Sequence, residues 1–182
     1  MTMLEQRIQQ QFFESADLLS HSAEALSKPT AAAAQALLGC ITAGGKVMLC
    51  GSGASVALAQ HTAALMIGRH ERVRPGLAAL AVASETEIRA LGAPGDVLLA
   101  ISAENPSAGL VAAVVAAQVK DMTVVALTGP DAGGLLQRLS ETDVHIAVQH
   151  ERAARILEVH TLVLHCLCDA VDLQLLGEQE PT

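Results

Sequence analysis

The chain has 182 residues, 51% of them hydrophobic but only 1% aromatic, and a formal net charge of −8 at pH 7. That length suits one domain burying roughly 70% of its unfolded surface in a core of Ala, Val, Leu and Ile. The acidic balance leaves no basic stripe to neutralise phosphates, which excludes direct nucleic-acid binding as an expectation.

No membrane span is expected either. The most apolar C-terminal run, Leu162 to Leu167, is short and broken by His165 and then Asp169. The four cysteines (Cys40, Cys50, Cys166, Cys168) fall in apolar patterns without metal-ligand spacing, and the N-terminus lacks a signal-peptide core. Both features predict a cytoplasmic protein with buried, reduced thiols.

In chain order, residues 3–27 carry Leu4, Ile8, Phe12, Ala16, Leu19 and Ala23 on one stripe and read as a helix. Lys28-Pro29-Thr30 predicts a break, with Thr30 capping a second helix to about Thr42. Short apolar strands follow at 46–50, 77–82, 97–101, 123–127 and 144–148. Predicted helices lie between them, after the first strand to near Arg69, at about 107–119 and at about 131–139, and a last one runs from 152 to 176. Unbroken apolar strands alternating with helices imply an α/β fold, a doubly wound five-stranded parallel sheet covered on both faces. Between the second and third strands, residues 83–96 leave room for only about two helical turns, close to the lower limit for a parallel crossover.

Ligands bind such sheets at the carboxyl ends of the strands. Three loops there are rich in Gly, Ser and Thr: 51–55, 102–107 and 128–134. In the first, Ser52, Gly53, Ala54 and Ser55 precede a helix N-terminus, where amides and hydroxyls can meet a phosphate. It has no Walker lysine and does not fit G-x-G-x-x-G. In the second, Ser102 and Ser107 flank Glu104, a carboxylate that would repel a phosphate unless it points away or a cation intervenes. His61 lies two turns beyond the first loop, and His160 and His165 lie on the last helix. Leu65 and Leu157 occupy the neighbouring positions on those helix faces, and two histidines without a third ligand make a poor zinc site.

The ordered blocks "CGSGASVALAQHTAALMIGRHERVRPGL", "PGDVLLAIS", "DMTVVALTG" and "ARILEVHTLVLHCLCDAVD" resemble the sugar-isomerase (SIS) domain family over almost the whole chain. Within it they are similar to the phosphoheptose isomerases and their relatives of the DiaA type, which associate with the replication initiator DnaA. The resemblance implies a flavodoxin-like SIS domain and a homotetramer. Residues 1–45 would supply helices for oligomerisation, and 46–182 the α/β core and C-terminal helix.

Against the isomerase pattern "GNGGSAADAQHFAAE", this chain has Ser52 for Asn, Leu58 for Asp, and Leu65 for the Glu that serves as base and metal ligand. The resemblance also puts a Gln ligand at Leu157, a histidine acid at His165, Ser-Thr-Ser-Gly-Asn-Ser at 102–107, and a longer segment between the second and third strands. An aldose–ketose isomerase needs a base within reach of the substrate, and leucine cannot serve. These departures make a non-catalytic adaptor of the DiaA type the expected function, with DnaA as partner and no cofactor. The alternatives are a phosphoheptose isomerase, with zinc and with His61 and His165 active, or a phosphosugar-binding sensor.

Overall fold

A computed structural model describes residues 1–178. Its elements are α1 (Met3–Thr42), β1 (Val47–Gly51), α2 (Ser55–Ile67), β2 (Ala79–Ala81), α3 (Glu85–Leu91), β3 (Val97–Ser102), α4 (Ala108–Val119), β4 (Thr123–Thr128), a 3₁₀ turn (Gly133–Arg138), β5 (Val144–Ala147) and α5 (Ala153–Leu176). The five strands are parallel and ordered β2-β1-β3-β4-β5. The α/β doubly wound fold expected from the sequence is the one observed.

Side chains alternate across the sheet and divide the core in two. Val47, Leu49, Leu99, Val125 and Ile146 pack under α1, α2 and α5. Met48, Cys50, Leu98, Ala100 and Val124 pack against Ile88 of α3 and Leu110, Ala113 and Val114 of α4.

The break predicted at 28–30 does not occur. α1 is one helix of 40 residues with Pro29 inside it. A proline there forfeits a hydrogen bond and costs about 3 kcal/mol. The cost is tolerated because the stripe Leu26, Ala33, Ala34, Leu37 and Cys40 is buried on both sides of it. Thr30 is therefore helical and caps nothing. The helix predicted at 131–139 shrinks to the 3₁₀ turn, where Pro130, Gly133 and Gly134 disfavour α-helix. The second strand is three residues rather than six.

Of the cysteines, Cys40, Cys50 and Cys168 are buried and Cys166 is exposed on α5, a correction to the expected burial of all four. Among the described residues, no helix is long and apolar enough to cross a membrane.

Candidate active site at the switch point

The strand order reverses between β1 and β3, and the loops that follow these two strands meet there, as the doubly wound rule requires. A Cβ on Gly51 would lie 2.4 Å from the Ser55 backbone, so only glycine lets β1 fold back beneath α2. Gly53 completes the turn at φ +58. The amides of Ser55, Val56 and Ala57 close back onto the carbonyls of Ser52, Gly53 and Ala54. Among the described residues, the Gly53 and Ala54 amides and the hydroxyl protons of Ser52 and Ser55 have no acceptor. These four donors are free for an anion.

The second loop is latched onto the first. The Ala103 amide donates to Ser55 Oγ and the Ser107 amide to Ser52 Oγ, each at 3.2 Å. Ser107 also caps α4 by accepting from the Leu110 amide. Ser102 is buried, and its hydroxyl donates to the Glu104 carbonyl. The structure thus brings Ser52, Gly53, Ala54, Ser55 and Ser107 together at the mouth and puts Ser102 beneath the loop. A cavity of about 90 Å³ lies between the loops, lined by Ser52, Ser55, Glu104 and Leu157 among others.

Further along the seam between α2 and α5, His61 Nε2 and His165 Nε2 lie 3.1 Å apart, with ring planes at 56°. Sequence reasoning missed His70, whose ring centroid is 5.1 Å from that of His165. No helical period marks it, because it lies in the loop after α2. That loop is tied to α5 by Arg74, which pairs with buried Asp172 and donates to the carbonyls of Leu65 and Met66, and by Arg72, which donates to the Gly177 carbonyl. Burial, then the nearby His70 and His61, draw the His165 pKa below the usual histidine value, with Glu71 opposing.

A zinc ion does not fit this donor set. Zinc sites use at least three protein ligands, and no cluster of three His, Cys, Asp or Glu among the described residues is placed to hold a metal. Leu65 and Leu157 are partly buried against the core, where they offer no donor atom. His160, the third histidine considered, is buried and bonds the Thr128 carbonyl through Nε2, so it is a core group.

Fold and site define a doubly wound α/β protein with an anion-ready turn at its switch point and a histidine pair beside it. The chain belongs to the SIS domain family, whose model matches residues 11–129. It is similar to the phosphoheptose isomerase of Methylibium petroleiphilum, 60% identical with all of both chains covered. Among solved structures it is similar to phosphoheptose isomerase GmhA from Neisseria gonorrhoeae (TM-score 0.86, 38% identity, 93% of this chain and 99% of that one). It is also similar to a phosphoheptose isomerase from Francisella tularensis (TM-score 0.88, 33% identity, 94% and 99%). The Methylibium alignment runs over 200 positions against 182 residues here.

These likenesses overturn the expectation of a DiaA-type adaptor that binds DnaA. The sequence reading took leucine at 65 and 157 as the end of proton chemistry, but the fold sets His61 and His165 within hydrogen-bonding distance of each other. A close histidine pair remains where the carboxylate is lost, and the branch is that of the phosphoheptose isomerases.

Proposed function

We propose that the protein is a phosphoheptose isomerase, interconverting sedoheptulose 7-phosphate and the corresponding aldoheptose 7-phosphate. The observation that carries this reading is the His61–His165 pair, set along the same two helices from the donor cradle at Ser52–Ser55. Six residues of α2 separate Ser55 from His61, a rise of about 9 Å. An extended heptose chain, at about 1.5 Å per bond, spans a similar length from its phosphate to the carbons that exchange a proton. The phosphate sits on the cradle and the reacting end reaches the histidines.

The chemistry follows from the tautomers. One ring donates through Nε2–H and the other accepts at Nε2, so one Nδ1 carries a lone pair and the other a proton. Neither Nδ1 has a partner among the described residues. The free Nδ1 takes the proton from the carbon next to the carbonyl, a proton crosses between the Nε2 atoms, and the second Nδ1–H supplies the neighbouring position. The hydroxyl proton of the resulting enediolate passes between its two vicinal oxygens, so that the former hydroxyl oxygen becomes the isomeric carbonyl and the former carbonyl oxygen the new hydroxyl, and the two rings have exchanged tautomers. A neutral His165 suits the accepting role near pH 7.

The apolar groove between α1 and α5 supports self-association into the homotetramer. Leu19, Ala23, Leu26, Val159, Leu162 and Val163 line a depression of about 370 Å³, and Phe12 and Phe13 lie exposed on the same helix α1. A second copy of the chain is the partner such a face fits.

A second reading, a sensor that binds the sugar phosphate without converting it, is favoured by Leu65 and Leu157 standing where donors would help catalysis. Incubation of the purified protein with sedoheptulose 7-phosphate separates the two. Appearance of the aldose supports the isomerase, and thermal stabilisation with no product supports the sensor.

A further inference from the structure

We infer that Glu104 is a built-in electrostatic competitor at the phosphate subsite, so that affinity for phosphosugars is set against the repulsion of its carboxylate. The inference rests on the isomerase reading of that subsite. Glu104 Oε2 lies 3.8 Å from the point where a Cβ on Gly53 would stand, beside the turn that carries the unpaired Gly53 and Ala54 amides. The same side chain lines the 90 Å³ cavity together with Ser52 and Ser55.

Among the described residues Glu104 forms no ion pair and its carboxylate accepts no hydrogen bond, and no Lys or Arg lines the cavity. The backbone that carries it is fixed on both sides, by the Ala103 amide on Ser55 and the Ser107 amide on Ser52. The exposed carboxylate stands in the field of the positive end of α2 without a hydrogen bond to the turn. An incoming phosphate must share that field with a like charge a few ångströms away.

The carboxylate therefore weakens anions that offer a phosphate alone. A full phosphosugar overcomes it with contacts along the α2–α5 seam. Glu104 thus discriminates a phosphorylated sugar from free phosphate.

The test is titration calorimetry of wild type, E104A and E104Q with inorganic phosphate and with sedoheptulose 7-phosphate, each in EDTA and in magnesium. The inference predicts that both variants bind inorganic phosphate about tenfold more tightly than wild type in EDTA, with a smaller gain for the sugar phosphate. Equal affinity in all three proteins overturns the competitor role and leaves the isomerase reading standing. Wild-type binding that needs magnesium and weakens in E104A also overturns it, because Glu104 would then hold the anion through a cation. Absence of binding by any of the three overturns the phosphate subsite itself, and with it both readings.

Discussion

The Nε2 atoms of His61 and His165 face each other at 3.1 Å across the seam of α2 and α5. On the isomerase reading, two rings so placed act as one acid–base unit, and removal of either leaves the other without its proton donor or acceptor. H61A and H165A are each expected to lower turnover by about 10²–10⁴, and the double variant little further. Steady-state assays of the three proteins check this.

His70 contributes to the charge state of His165. Burial is the first cause of the lowered His165 pKa, and the His70 charge is the second. Activity requires neutral His165, so it falls as pH drops through that lowered value, below the ordinary histidine range near 6.5. Replacing His70 by Gln removes one lowering influence and moves the acid limb of the pH–rate profile upward. An acid limb that stays in place would assign His70 no electrostatic part.

His160 makes the fold acid-sensitive. Burial takes its pKa from 6.5 down to about 4, against the hydrogen bond to the Thr128 carbonyl. The folded state thus binds the proton less well than the unfolded chain. The stability this group contributes is complete above pH 6.5 and is lost as pH falls from there towards 4, by about 3 kcal/mol at most. Thermal melts across that window should fall in Tm, and H160Q, which keeps a donor for Thr128, should flatten the fall.

Arg74 and Asp172 form an ion pair with both side chains 1% exposed. Removing one partner strands a buried charge, so D172A should cost about 3–5 kcal/mol in urea unfolding. The apolar pair R74M/D172L should recover most of that loss in stability. It should not restore the loop that carries His70, because the Arg74 bonds to the C-terminal end of α2 are gone.

The groove between α1 and α5 predicts the oligomer. Leu162 is exposed in the single chain and lines that groove. L162E puts a charge into a face that self-association would bury and should reduce the tetramer to smaller species by light scattering, with little change in secondary structure.

Much of the fold was legible in the sequence because strands buried on both faces read as unbroken apolar runs and the glycine turn after β1 has few other uses. Pro29 misled, since a local rule about helix breakers was outweighed by the stripe from Leu26 to Cys40 packing on either side of it. The cradle residues Ser52–Ser55 and Ser107 were readable from helix starts. His61 and His165 were readable as candidates that two facing helices could bring together, but their direct contact was not. Their 3.1 Å contact depends on how α2 and α5 cross, and their neighbour His70 depends on two arginines that pin a loop. Spacing along a chain carries neither.

The most direct measurement is deuterium incorporation, followed by NMR, during incubation of sedoheptulose 7-phosphate with the protein in D₂O. The account predicts label at the carbons flanking the transferred proton, together with the aldose signals, both lost in H165A. A sugar recovered unlabelled and unconverted, from a protein that calorimetry shows to bind it, would contradict proton transfer by this histidine pair.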